Sequence, residues 1–141
     1  MESANLKLVR SICAAWRRGD WSSAEWAHPE IEFVFADGPT AGSWTGQAEM
    51  VEGWRDFLST WKEFRVEVDE YREIDSERVL VLDHPSGVGK TSGVDLGKMS
   101  DKGAQLFHIH GGKVTRLVHY FDRERALADL DLASETSSTG T

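Results

Sequence analysis

Cysteine is almost absent. Cys13 is the only one in 141 residues, so no disulfide can form within the chain. A lone thiol on the apolar side of a helix reads as a small buried hydrophobe, and no motif around it points to a catalytic nucleophile. Long hydrophobic runs are missing too. A membrane-spanning helix needs about 18 consecutive apolar residues, and no such run exists. Residues Met1 to Asn5 carry neither the basic start nor the apolar stretch of a secretory signal. These absences place the expected protein in the cytoplasm, with no membrane partner. Positive charge is in deficit: 16 Lys and Arg stand against 24 Asp and Glu, for a net charge of −8. That balance argues against nucleic acid, whose binding rests on clustered Lys and Arg. The acidic groups are dispersed and serve solubility. What remains is a chain with 40% hydrophobic residues and a length of one domain. It can bury most of its unfolded surface without a metal or disulfide staple.

Leu6, Val9, Ile12, Cys13 and Trp16 recur at helical spacing and predict a helix over 5–18, stopped by Gly19-Asp20. A short second helix is expected over 21–27, ended by His28-Pro29. Ile31 to Phe35 reads as a strand, and 36–46 as a loop. Met50, Trp54, Phe57, Leu58 and Trp61 form one stripe, which predicts a third helix over 47–61 with Thr45 as its cap. The period then changes to two. Phe64 to Ile74 reads as a strand with one wet face, and Arg78 to Leu82 as a strand buried on both faces. Residues 84–103 read as a loop with an irregular strand start. Ala104–His110 and Lys113–Phe121 are expected to be hairpin strands joined at Gly111-Gly112. Asp122 should cap a last helix over 123–130. Residues 1–132 form one domain, and 133–141, without an apolar anchor, are expected to be a disordered tail. Helices first and antiparallel strands afterwards argue for an α+β fold, with the helices on one face of a curved sheet.

The motifs divide into false leads and open candidates. Ser86 to Ser92 (SGVGKTS) looks like a phosphate-binding loop, but position 84 is His where that motif needs Gly, and no helix follows. His108 and His110 share a strand face and could ligate a metal. No third ligand adjoins them, so no metal site is expected and Phe107 and Ile109 should take the inner face. All six tryptophans precede residue 62. Most sit in stripes that read as core, whereas Trp44 lies outside any stripe and is a candidate for a pocket rim. Asp37, ahead of Gly38-Pro39, is either a turn residue bonding its own backbone or a carboxylate at a pocket mouth. His119 should share its face with Thr115, Leu117 and Phe121. It is either a core histidine or an acid/base group.

Leu106 to Leu130, LFHIHGGKVTRLVHYFDRERALADL, resembles the closing hairpin and helix of SnoaL-like proteins. Those belong to the nuclear transport factor 2 and ketosteroid isomerase-like superfamily. There a strand, a Gly-Lys-Val turn, a strand ending in Tyr-Phe-Asp and a short helix follow in that order. The start fits as well: a helix, Gly19-Asp20-Trp21, then His28 to Phe33, then Trp44-Thr45-Gly46 opening a helix. The similarity spans roughly residues 5 to 132. It implies a cone-shaped, cystatin-like α+β roll, with three N-terminal helices on a strongly curved, mostly antiparallel mixed sheet and a short C-terminal helix. It also implies a small-molecule pocket and a homodimer, with Arg116, Val118 and Tyr120 on the contact face.

The resemblance leaves function open, because this fold hosts isomerases, cyclases, hydrolases and non-enzymatic binders. By position, Asp37 matches the general base of the ketosteroid isomerases. The oxyanion-stabilising Tyr and Asp of those enzymes fall at Ile12 and at Gln105 or Ala104, so their dienolate chemistry is not expected. His119 matches the acid/base position of the polyketide cyclase branch. The reading is a cofactor-independent isomerase- or cyclase-like enzyme moving protons on a flat, apolar carbonyl ligand, with Asp37 and His119 catalytic. The alternative is a non-catalytic binding or assembly module. The expected pocket lining is Ile12, Trp16, Phe35, Trp44, Trp54, Phe57, Gln105, Phe107 and Leu117.

Overall fold

The computed structural model describes residues 3–18, 20, 25–36, 41–89, 93 and 102–130. Helix α1, Ala4–Arg17, starts where the Ser3 hydroxyl accepts the Leu6 amide at 3.1 Å. It buries Val9, Ile12, Cys13 and Trp16, the face that the spacing predicts. Strand β1 is Ala27–Phe35, so His28 and Pro29 already lie in a strand. Of the expected second helix, 21–24 lie outside the described residues and 25–26 are a turn.

Residues 42–45, read as loop from local composition, form strand β2, Gly42–Thr45, antiparallel to β1. Its warrant is tertiary: Trp44 packs on Phe33 and Phe35, with ring centroids 6.0 and 5.6 Å away. Helix α2, Gln47–Ser59, is capped at Gly46 and not by the expected Thr45 side chain. Gly46 takes φ 92, a left-handed backbone that turns the chain from strand to helix within one residue.

Strands β3, Trp61–Glu73, and β4, Arg78–Gly89, pair along their length. β4 thus runs well past Leu82, because pairing continues through Gly89 opposite Trp61. Pro85 falls in the stretch where β3 is its neighbour on one side, so its missing N–H need not break a ladder. Strands β5, Gly103–His110, and β6, Lys113–Tyr120, make the expected hairpin, with Gly111 and Gly112 at φ 59 and 79. Ile109 pairs with Val114 and His108 with Arg116, which leaves Thr115 as the extra residue of a bulge. The bulge turns Val114 into the core in place of Thr115. Residues 123–130 form helix α3, whose Glu124 amide binds Asp122 Oδ1 at 3.0 Å.

The sheet order is β2-β1-β6-β5-β4-β3, with β1 and β6 parallel and every other pair antiparallel. Both faces are apolar. Val79, Val81, Phe107, Ile109, Leu117, Phe33 and Phe35 meet α1 and α2 on the inner face. Leu80, Leu82, Leu106, Val118 and Tyr120 cluster with Ala126 and Leu130 of α3 on the outer one. Two of the three side chains expected on a two-fold contact, Val118 and Tyr120, are therefore buried within the chain. Arg116 stays exposed beside Glu32. No helix among the described residues is long and apolar enough to cross a membrane.

Gly103 marks the tightest approach. A Cβ there would lie 2.7 Å from Asp83 Oδ1 and 2.9 Å from the Tyr120 carbonyl oxygen. Gly103→Ala should therefore destabilise the fold by about 1–3 kcal/mol in urea denaturation, the usual cost of overpacking. Unchanged stability would show that β5 and β6 are less closely apposed here.

Candidate functional site

The neighbouring strands β4, β5 and β6 each place one polar side chain on the inner face: Asp83, Gln105 and His119. All three are buried. Their meeting follows from register. Gln105 stands directly opposite His119, and Gly103 opposite Asp83. Gln105 is thus the diagonal neighbour of Asp83, within reach of a long side chain. Its Nε2 donates to Asp83 Oδ2 at 3.0 Å. Gln105 Oε1 and His119 Nε2 are buried and meet no hydrogen-bond partner among the described residues. An unmet buried polar atom typically costs about 1–3 kcal/mol, so two beside one another mark a place built to receive a polar group.

The walls are aromatic. His119 stacks on Phe35 at 5.0 Å and meets the edges of Trp54 at 4.8 Å and Phe33 at 5.1 Å. Phe35, Trp54, Phe57, Phe64, Val66 and Phe121 enclose the trio in a cavity of about 20 Å³. That volume suits one water-sized molecule. Burial drives the His119 pKa down to about 3, so the imidazole is neutral near pH 7. Burial lifts the Asp83 carboxyl to about 7, against the pull of the Gln105 hydrogen bond and of Arg123. Arg123 also fixes the backbone here. Its Nη2 donates to the Asp83 carbonyl at 2.8 Å and to Asp69 Oδ2 at 2.8 Å, and its Nε to the Gly103 carbonyl at 3.2 Å. Asp69 Oδ1 in turn lies 2.7 Å from His84 Nδ1.

Of the residues proposed from sequence, Phe35, Trp54, Phe57, Gln105 and His119 come together around this cavity. Ile12 and Trp16 of α1 and Phe107 and Leu117 of the sheet are buried in the core where helix and sheet meet, and do not line it. Trp44 sits one layer out, on Phe33 and Phe35. Asp37 lies outside the described residues. The sequence reading missed Asp83 because it ended the strand at Leu82. The signal was present: Val79, Val81 and Asp83 alternate onto one face. His108 and His110 point away from Phe107 and Ile109, as expected, and no metal-binding cluster occurs among the described residues.

The chain matches the SnoaL-like domain family over residues 9–117. It belongs to that family. No curated protein matches its sequence. Among solved structures, an NTF2-like protein of unknown function from Burkholderia pseudomallei is 22% identical, with a TM-score of 0.72 over 90% of this chain and 97% of that one. TerC, co-crystallised with polyporic acid, is 21% identical, with a TM-score of 0.66 over 89% and 97%. A candidate polyketide cyclase from Sinorhizobium meliloti is 18% identical, with a TM-score of 0.62 over 84% and 99%. These likenesses concern the fold: a SnoaL-like domain is a curved mixed sheet with helices in its concavity, as here.

The two perturbed groups of this SnoaL-like domain act on stability in opposite directions. His119 is depressed from 6.5 to about 3, so its contribution is present above pH 6.5 and is lost as pH falls towards 3. Asp83 is raised from 3.8 to about 7, so its contribution is present below pH 3.8 and is lost as pH rises through 7. Between about pH 4 and 6.5 the two slopes oppose, each worth about 1 kcal/mol per pH unit. Urea denaturation across that range should show Asp83→Asn losing stability relative to wild type as pH falls. His119→Gln should gain relative to wild type. Curves parallel to wild type for both variants would contradict the assignments.

Proposed function

We propose that this domain is a cofactor-independent acid/base enzyme that moves a proton next to the carbonyl of a flat, largely apolar molecule. The observation that carries the reading is the buried Asp83 carboxyl, bonded by Gln105 in an aromatic cavity that His119 also lines. Burial lifts that carboxyl to about 7 and keeps the imidazole neutral. A carboxyl so poised accepts a proton when ionised and returns it when protonated, near neutral pH. Gln105 holds its Oδ2, leaving the other oxygen for the proton. His119, too weak a base at about 3 to compete, supplies its unmet Nε2 as a hydrogen-bond donor to the developing oxyanion. This reverses the role expected of His119 and moves the base from Asp37 to Asp83. The likeness to TerC, co-crystallised with polyporic acid, and to a candidate polyketide cyclase supports a small organic ligand.

The cavity of about 20 Å³ favours a second reading, a binder without turnover. An organic carbonyl reaches Asp83 only if side chains lining the cavity move aside. Exchange of the α-protons of 2-tetralone in D₂O, followed by NMR, separates the two. The enzymatic reading expects wild type to accelerate exchange, with a rate that rises through about pH 7. Asp83→Asn should lower it by roughly 100-fold or more. His119→Gln should lower it while leaving the pH midpoint in place. Binding of 2-tetralone without acceleration would leave the binder, and acceleration unaffected by Asp83→Asn would remove Asp83 as the base.

A further inference from the structure

The proposed acid/base centre does not use a second hollow on the same side of the sheet. Arg10, Cys13, Ala14 and Arg17 stand three, four and seven residues apart on α1, which puts them in one stripe along the helix. That stripe faces Val66, Val68 and Tyr71 of β3 across a groove of about 290 Å³. The volume lies near the lower end of the range for small-molecule sites.

The chemistry of this lining is asymmetric. Ala14, Val66 and Val68 offer an apolar surface. Cys13 is buried and its thiol is pushed up to about 12, first by desolvation, so it carries no charge. Tyr71 is likewise lifted to about 12, by desolvation first, and stays neutral. Among the described lining residues the formal charges are the guanidiniums of Arg10 and Arg17. Arg10 lies over the Tyr71 ring, 4.7 Å from its centroid. Arg17 enters no ion pair among the described residues. Both cations act on the Tyr71 hydroxyl and pull its pKa down against desolvation, so their fields converge there although seven residues separate them on the helix. A paired positive end on an apolar slot is local design in a chain whose net charge is −8.

We propose that this groove binds a flat aromatic carboxylate, its acid group between Arg10 and Arg17 and its ring over Ala14, Val66 and Val68. Guanidiniums suit a carboxylate because their planar donors match its two oxygens. Val66 lines both this groove and the central cavity, so the two hollows adjoin there. The site stands on its own residues and does not depend on the proton-transfer reading.

The test is equilibrium binding of 2-naphthoate to the full chain, by calorimetry and by ¹H-¹⁵N NMR. Saturable binding is expected, with shifts centred on Ala14, Val66, Val68 and Tyr71, weakening as salt is raised. Arg17→Gln and Arg10→Gln should each weaken it by roughly fivefold, a magnitude suited to partly solvated ion pairs. Neutral 2-naphthol should bind more weakly and be indifferent to Arg17→Gln. Both arginines are exposed, so far-UV circular dichroism should match wild type. Absence of binding at millimolar 2-naphthoate, shifts centred elsewhere, or equal affinity in wild type and Arg17→Gln would each overturn the proposal. Because the readout involves no proton transfer, failure here leaves the Asp83 reading standing, and the reverse holds.

Discussion

The parallel ladder between β1 and β6 is the constraint on which the rest of this structure depends. It places Phe33 beside Leu117 and Phe35 beside His119, joining the first strand to the last hairpin. The Ala36 amide extends the join by binding the His119 carbonyl at 2.9 Å. Without it the β1–β2 hairpin would be separate from the β3–β6 meander, and α2 would have no inner face to cover. Register matters as much as pairing. A slip of one residue would send every β6 side chain to the opposite face. His119 would then leave Phe33, Phe35 and Trp54 and point towards α3. Such a contact between distant chain segments has to pay loop-closure entropy before packing rewards it, which places it late in folding.

Given that ladder, the polar trio follows from low local dielectric. Asp83 and His119 lie on the same inner face of one sheet, and the same cause, desolvation, pushes both towards their neutral forms, raising one pKa and lowering the other. Gln105 between them suits either state, because its amide both donates and accepts. The close contact at Gly103 and the Arg123 bonds to two backbone carbonyls hold β4 and β5 together where the carboxyl emerges. Arg123 opens α3, so the helix that covers the outer face also braces the strand that carries the inner-face carboxyl.

The outer face shows how a sheet with two apolar sides is completed. Leu80, Leu82, Leu106 and Val118 gather under Ala126 and Leu130, and the Tyr120 hydroxyl donates to Asp129 at 3.0 Å. Cover by α3 takes the apolar outer face of the sheet out of water. The polar edge is managed differently. Among the described strands β3 lies at an edge, and its residues Arg65, Glu67, Asp69 and Glu70 are exposed and charged, which discourages pairing with another sheet.

By itself the sequence determined what periodicity and local chemistry control. The stripe of α1, that of α2 as far as Leu58, the Gly111-Gly112 hairpin, the Asp122 cap and the two-sided burial of 79–82 were legible, because each depends on neighbours within a few residues, whereas Trp61, read into the α2 stripe, opens β3. The resemblance of 106–130 to SnoaL-like proteins extended that to the family, and the family match over 9–117 bears it out. Tertiary structure decided the rest. Whether residues 42–45 form a strand depended on Trp44 finding Phe33 and Phe35, and whether 83–89 continue β4 depended on β3 being there to pair. A bulge at Thr115 altered the inner-face alternation, which no local pattern announces. The site shows the same division. His119 and Gln105 were foreseen as inner-face groups, but which aromatic residues enclose them, and that Asp83 joins them, followed from strand register. Side-chain alternation tells which residues share a face, and only the pairing of distant strands tells which of those faces meet.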